Sequence, residues 1–449
     1  MTALTPRLRL VAAAIIAASG GLFACGGADR APGAAGSADT AAAATSSAAD
    51  TITVPAGFRA TVFADTLGQA RHLVSRPNGD VYINTWRSPY DSGRRVPPGG
   101  FLVALRDTNQ DGRADQIQRF GGESGNGGTG IALFKDALYA EAGPSILRYR
   151  LNSDELAPSA APDTIVSGLA IEGSHPMHSL TIDPNGNLFV NSGSSTNSCQ
   201  VKDRQPGSPG QRPCKELATR AGIWRFSATR TGQRFAPGAR YATGIRNTDG
   251  LAINPADGAL YATQHGRDQL AENWPKLYDW KQSAELPAEE LLLVVKGGDY
   301  GWPYCYYDPT KEKLVLAPEY GGDGEKVGEC ADKLGPAADY PAHWAPNALT
   351  FYGGEAFPEA YRGGAFIAFH GSWNRAPEPQ QGYNVVFQPF SKGKPSGDYE
   401  IFADGFAGPR KEPGTARHRP SGLAVGPDGA LYVSDDTGGR VWRIVHGGG

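Results

Sequence analysis

A hairpin that recurs six times constrains this chain more than any other feature. Its clearest copy is Leu180-Thr-Ile-Asp-Pro-Asn-Gly-Asn-Leu-Phe-Val190, where Leu180 and Ile182, then Leu188 and Val190, alternate on either side of a tight turn. That alternation is the pattern of two half-buried antiparallel strands. The same pattern overlays 72–83, 130–140, 250–262 and 422–433, with a looser copy in 348–351 and 362–368. A third strand follows several copies, as in Ile146-Leu-Arg-Tyr149, Ile223-Trp-Arg-Phe226 and Val441-Trp-Arg-Ile444. Six copies of a three- or four-stranded unit predict an all-β fold, a six-bladed β-propeller with inserted loops. The copies are spaced more widely than a bare blade of about 45 residues, and the surplus is assigned to insertions at 195–221, 267–290 and 302–347. The strand-like stretch 52–63 precedes the first copy. It is expected to join the C-terminal blade and close the ring, which removes open sheet edges.

Sixty glycines and 34 prolines in 449 residues suit a turn-rich β protein, and no long run has helical period. A net charge of -3 without a dense basic run argues against a nucleic-acid partner. Arg7 and Arg9 precede an apolar run and then Leu22-Phe-Ala-Cys25, the layout of an export signal over 1–24. The cysteine after small residues looks like a bacterial lipobox and predicts a lipid on Cys25. Residues 25–50 are mostly Ala, Gly, Ser, Thr and Asp and are expected to be a tether. The chain is therefore expected at a periplasm-facing membrane or the cell surface, its propeller spanning 51–449. In an exported protein four remaining cysteines suggest two disulfides. Three pairings are open, and the local ones, Cys199–Cys214 and Cys305–Cys330, are preferred. No Cys-x-x-Cys-His motif for an attached haem is present.

The chemistry collects at one phase of the repeat. Four to six residues before the first apolar residue of the inner strands stand His175, Arg246 with Asn247, His343 with Trp344, Arg417-His418-Arg419, and Asn126. Inner strands surround a propeller's axis, so these positions should converge at one mouth. The second strands run antiparallel and end at the same face, adding Gln264-His-Gly-Arg-Asp268 and His370-Gly-Ser-Trp-Asn-Arg375. Four of six repeats place Arg or His at this phase, and few carboxylates accompany them. Clustered guanidinium forks suit carboxylates or phosphates. A flat anionic small molecule with an aromatic wall at Trp344 or Trp373 fits such a mouth.

These residues bring the chain to a known family. It resembles the quinoprotein glucose/sorbosone dehydrogenases through Gly-Ile-Arg246-Asn247-x-x-Gly-Leu-Ala, Gln-His-Gly266-Arg267-Asp, Gly298-Asp-Tyr300-Gly-Trp-Pro303, His370-Gly-Ser-Trp-Asn-Arg375, Arg417-x-Arg419-Pro-x-Gly-Leu-Ala-Val and the His175 turn. The resemblance covers about 51–445. It implies a propeller that binds pyrroloquinoline quinone (PQQ) and calcium and oxidises a sugar hydroxyl or sugar aldehyde. It implies His175 as general base, and Arg246, Asn247, Arg417, Arg419 and Arg375 as cofactor contacts. Carbonyls of Gly266 and Arg267 would ligate calcium, and Glu290 with the Tyr300 carbonyl a second, structural calcium. The cofactor's three carboxylates answer the arginine surplus, and a neutral imidazole suits proton removal.

Two departures point to the sorbosone/pyranose branch. Where the soluble glucose enzymes carry an acidic residue beside the base, this chain has Ser194. Their lysine contact to the cofactor has no counterpart, and the 370–375 segment takes its place. Electrons are expected to leave to a separate acceptor, a membrane quinone or a cytochrome. Two rivals are a calcium-dependent lactonase or esterase propeller and a non-catalytic ligand-binding propeller. The first needs side-chain carboxylates and amides around an axial metal. A loop at 107–115 has the acidic spacing that opens a calcium loop, but Gln118 stands at the twelfth place.

Overall fold

Each recurring hairpin forms the inner half of a four-stranded antiparallel sheet. A computed structural model describes residues 52–86, 98–122, 127–152 and 155–447. Cys25, the 1–24 signal, the 25–50 tether and Asn126 lie outside them.

Blade 1 runs Ala70–Ser75, Val81–Thr85, Leu102–Arg106, Gln116–Phe120. Blade 2 runs Ile131–Phe134, Ala137–Ala142, Ser145–Arg150, Asp163–Ser167, with Gln233–Arg234 added in parallel at its rim. Blade 3 runs Leu180–Ile182, Asn187–Ser192, Gly222–Ser227, Arg240–Thr243. Blade 4 runs Leu251–Ile253, Leu260–Gln264, Glu289–Val294, Ala338–Tyr340. Blade 5 runs Pro346–Phe351, Ala365–Phe369, Asn384–Gln388, Glu400–Ala403. Blade 6 takes Pro420–Val425, Leu431–Asp435 and Val441–His446 from the end of the chain and Phe58–Ala64 from its start. Phe58 pairs with His446 and Ala64 with Val441, so the ring closes as expected.

The first strand of every blade touches the first strands of its neighbours, which makes a closed inner ring around the axis. That crowding explains the glycine ahead of Leu423: a Cβ on Gly422 would come within 2.3 Å of the Arg71 carbonyl oxygen. Three inner strands lose regular register at one end, between Ala70 and Leu73, between Pro346 and Ala348, and between Pro420 and Gly422. Such bulges turn side chains out of strict alternation.

The core lies between blades. Phe366, Phe387, Leu423, Val433 and Trp442 join blades 5 and 6, and Phe63, Leu73, Ile83 and Tyr432 join blades 6 and 1. Trp224 and Trp442 are fully buried; truncating either would cost about 3–5 kcal/mol.

The expected insertions carry their own structure. Cys199 pairs with Cys214 and Cys305 with Cys330. The 302–347 insertion contains the hairpin Cys305–Asp308 and Lys313–Leu316, but it also supplies the fourth strand of blade 4, Ala338–Tyr340. Glu319, buried at its base, accepts from Ser198 Oγ (3.1 Å), Arg267 Nη1 (2.5 Å) and Trp274 Nε1 (3.0 Å). One carboxylate thus ties three insertions together above the ring. The 107–115 loop folds on itself, with Asp107 and Asp115 accepting from backbone N–H groups of the loop. Among the described residues no helix is long and apolar enough to cross a membrane.

Candidate active site

At the end of the axis where the insertions gather, the ring opens into a cavity of about 630 Å³. Its wall takes His175 from ahead of blade 3, Arg246 and Asn247 from ahead of blade 4, and His343 from ahead of blade 5. Arg419 comes from ahead of blade 6, and His265, Gly266, His370 and Trp373 come from strand exits. The phase rule read from the sequence therefore holds for these residues.

His175 sits where blade 3 begins. Its Nδ1 lies 2.8 Å from the Ser194 carbonyl oxygen and 3.0 Å from Ser194 Oγ. A carbonyl only accepts, so Nδ1 carries the ring proton. Nε2 is left with its lone pair and has no partner among the described residues. Ser194 therefore occupies the orienting position expected for it, acting through its backbone as well as its hydroxyl. Gly193 permits the approach: a Cβ there would meet His175 Cβ at 2.6 Å and Asn247 Oδ1 at 2.5 Å. Burial, with the Arg246 charge beside it, holds the His175 imidazole well below its ordinary value, so the ring is neutral.

The arginines are more heavily committed than the sequence implied. Arg246 donates to the Asn197 carbonyl and side chain (both 3.0 Å), to the Gly266 carbonyl (2.8 Å) and to Asp268 Oδ2 (3.0 Å). Arg204, which sequence reasoning missed, shares Asp268 at 3.0 Å. Arg71, also missed, bridges Asp249 (3.2 Å) and Asp436 (2.7 Å) and is almost fully buried. Arg419 donates to the carbonyls of His370 and Gly371 (3.0 and 2.8 Å) and has no carboxylate at ion-pair distance among the described residues. Asp249, Asp268, Glu289 and Asp436 all line the cavity. The expectation of few carboxylates is thus wrong.

Two expected cofactor contacts do not reach the cavity. Arg375 is buried outside it, donating to the carbonyls of Pro379 (3.0 Å) and Ala342 (3.2 Å) and to Glu285 (2.7 Å). It fastens the 370–375 segment to the helix Trp280–Glu285. Arg417 is exposed against Gly408 and is absent from the cavity wall. His418, between Arg417 and Arg419, turns inward to Asp435 (2.9 Å). Of the two tryptophans proposed as a wall, Trp344 is packed against Phe369 and Tyr399, whereas Trp373 lines the cavity and is 54% exposed. Trp86 joins it on the wall.

The metal candidates divide. Gly266, Arg267 and Glu290 line a second, small cavity of about 20 Å³ beside the main one. Glu290 receives Gln264 Nε2 (2.8 Å), and its other oxygen has no partner among the described residues. Burial pushes its carboxyl up to about 8. Tyr300 does not line this cavity; its hydroxyl is engaged by Leu293 and Val295. The Arg267 side chain is held by Glu319, which leaves only its backbone for a cation. Among the described residues, one trio of His, Cys or carboxylate ligand atoms falls within 4.8 Å, Cys199, Cys214 and Glu216, and two of these form a disulfide.

Burial dictates a pH dependence. It lowers His72, His178 and His370 to about 4 and His175 well below its ordinary value. These rings are neutral in the fold and titrate near 6.5 when unfolded. Between pH 6.5 and 4 the unfolded chain binds more protons, so stability is full above that window and is lost as pH falls through it. Burial works to raise Asp436, but His370, Arg71 and Arg419 outweigh it and hold the carboxyl below its ordinary range, which adds loss of the same sign at lower pH. The melting temperature is expected to drop steadily from pH 7 to 5, with proton uptake on unfolding in calorimetry. A flat melting temperature across that window would contradict the buried neutral histidines.

Residues 52–447 match the family model described as TrAA12-like. Among curated proteins, the aldose sugar dehydrogenase YliI of Escherichia coli K12 is 23% identical over 291 residues, which cover 61% of this chain and 60% of that protein. The pyrroloquinoline quinone-dependent sugar dehydrogenase of Hypocrea jecorina is 22% identical over 264 residues, covering 55% and 58%. The chain spans about half to three fifths of the length of the curated relatives it matches. The solved PQQ domain of pyranose dehydrogenase from Coprinopsis cinerea in its holo form has a TM-score of 0.69 at 19% identity, covering 88% of this chain and 97% of that one. This last is a likeness of fold.

Proposed function

Because the chain belongs to the TrAA12-like family across residues 52–447, we propose that it is a PQQ- and calcium-dependent oxidoreductase that oxidises a sugar hydroxyl or sugar aldehyde. The observation that carries this reading is the His175 ring, whose tautomer is fixed by Ser194 so that a neutral Nε2 is left without a protein partner on the cavity wall.

The residues present fit the cofactor. Four guanidinium groups and Asn247 line the cavity, whose volume suits a flat small molecule. Arg71, Arg204 and Arg246 are already balanced by Asp249, Asp268 and Asp436. Arg419 feels Asp436 from farther off but has no carboxylate at ion-pair distance among the described residues, and it is the first partner for a cofactor carboxylate. Arg246 and Asn247 would hold the same ligand from the blade 4 side. Calcium would use the Gly266 and Arg267 carbonyls. Arg246 donates to the Gly266 carbonyl, so the guanidinium must share or release that oxygen when a cation binds.

When bound, the quinone supplies a two-electron hydride acceptor. His175 Nε2 takes the hydroxyl proton of the substrate, and Ser194 keeps the ring facing it. Arg246, next to His175, favours negative charge developing on the substrate oxygen. A separate acceptor, a membrane quinone or a cytochrome, would be the partner that takes up the electrons. Export and a lipid anchor at Cys25 complete the proposal.

Reconstitution tests it. The purified protein, titrated with PQQ and calcium, is expected to develop a bound-quinone absorbance and to reduce a dye with aldoses, pyranoses or sorbosone. No new absorbance at saturating cofactor would sink this reading.

A further inference from the structure

The proton transfer assigned to His175 leaves a second imidazole of the cavity without a role. His370 follows the second strand of blade 5, and its Nε2 lies 2.8 Å from Asp436 Oδ1. Asp436 Oδ2 in turn receives Arg71 Nη1 at 2.7 Å. The carboxylate, clamped by the arginine, accepts from Nε2, so the ring proton sits there and Nδ1 presents a lone pair. Burial keeps this imidazole neutral, at about 4. Nδ1 has no partner among the described residues, and it is not sealed in the protein interior, since the ring lines the cavity.

The segment that carries His370 is held rigidly. Arg419 donates to the carbonyls of His370 and Gly371 and lies 5.4 Å over the Tyr383 ring. Arg375 anchors the far end of the same segment. Between these anchors Trp373 stands 54% exposed on the cavity wall, three residues beyond His370.

A fixed lone pair demands a donor. Carboxylates and quinone oxygens carry no hydrogen to give it; a sugar hydroxyl does, and so does the cofactor's single pyrrole N–H, which the cofactor-binding arm of the experiment below separates from the sugar. The C–H face of a pyranose suits an exposed indole. We propose that His370 and Trp373 form the sugar subsite of this cavity: His370 Nδ1 accepts a hydrogen bond from a hydroxyl that is not oxidised, and Trp373 packs against the ring. This rests on the sugar-oxidising reading and narrows it to polyhydroxylated rings. A simple alcohol leaves the acceptor unpaired, which is the discrimination that a site built to bond a hydroxyl achieves.

The experiment loads wild type, His370→Phe, His370→Gln and Trp373→Ala with PQQ and calcium. It follows cofactor binding by absorbance, then measures kcat and KM on pyranoses and their single-deoxy analogues. In wild type one deoxy sugar should lose about 10- to 100-fold in kcat/KM, the cost of one unpaired buried polar group. His370→Phe should lower the parent sugar by the same factor and lower that deoxy sugar no further. His370→Gln, whose carbonyl also accepts, should recover part of the loss. Trp373→Ala should raise KM on every pyranose more than it lowers kcat. Cofactor affinity should be unchanged in both His370 variants. Equal loss on parent and deoxy sugars in both His370 variants, or weakened PQQ binding in them, would overturn the subsite while leaving sugar oxidation intact. Loaded wild type that turns over no sugar would remove both.

Discussion

His175→Ala is expected to lower kcat by about 10²- to 10⁴-fold, the usual worth of a positioned general base, while PQQ affinity stays within severalfold of wild type. The separation follows from where the ring sits. Its Nδ1 is spent on Ser194, so the only atom it offers the cavity is Nε2. The guanidinium groups that would hold an anionic cofactor are fixed by other partners, Asn197 and Asp268 for Arg246 and two carbonyls for Arg419. None depends on the imidazole. Ser194→Ala serves as the graded control, because the 2.8 Å contact to the backbone oxygen survives loss of the hydroxyl. Stopped-flow reduction of the loaded protein reads the step directly. Turnover near wild type in His175→Ala would remove the base assignment.

The largest effect on stability is expected from Arg71→Leu. Among the described residues, Arg71 is the one almost fully buried guanidinium that has two carboxylates at ion-pair distance. Removing it strands Asp249 and leaves Asp436 with His370, and breaking a buried pair costs about 3–5 kcal/mol because the remaining charge is uncompensated. Asp249 is the more exposed to this loss: its Oδ1 already has no partner among the described residues. The double variant Arg71→Leu/Asp249→Asn should therefore recover part of the deficit in thermal or denaturant unfolding. A double variant no more stable than the single one would contradict the ion-pair account.

Arg71 also shows where sequence reading stops. The repeat, the ring closure by the stretch at 52–63 and both disulfides were legible, because strand alternation, turn chemistry and local cysteine spacing are properties of neighbouring residues. The phase rule located His175, Arg246, Asn247, His343 and Arg419 for a related reason: equivalent places in a ring converge. Arg71 escaped it because the register breaks between Ala70 and Leu73. Arg71 lines the main cavity, whereas His72 lines a separate space of about 350 Å³ among the inner strands. Period-two alternation cannot register that turn. Arg417 and Arg375 failed in the other direction. They match a motif by spacing, but Arg417 precedes its strand at an exposed turn, and Arg375 was drawn away by carbonyls on the Trp280–Glu285 helix and at Ala342. The acidic partners Asp249, Asp268 and Asp436 were in view in the sequence, yet only packing shows that they face the arginines.

The joint in blade 6 bears on how this molecule is made. Phe58–Ala64 is synthesised ahead of every other strand among the described residues, and its partner Val441–His446 comes after all of them. A ribosome-bound chain therefore cannot complete the ring, however many blades have formed. It carries an unpaired first strand until the final strand emerges. A stop codon shortly before Val441 would leave two bare edges rather than one, and bare edges are the route by which β proteins associate with one another.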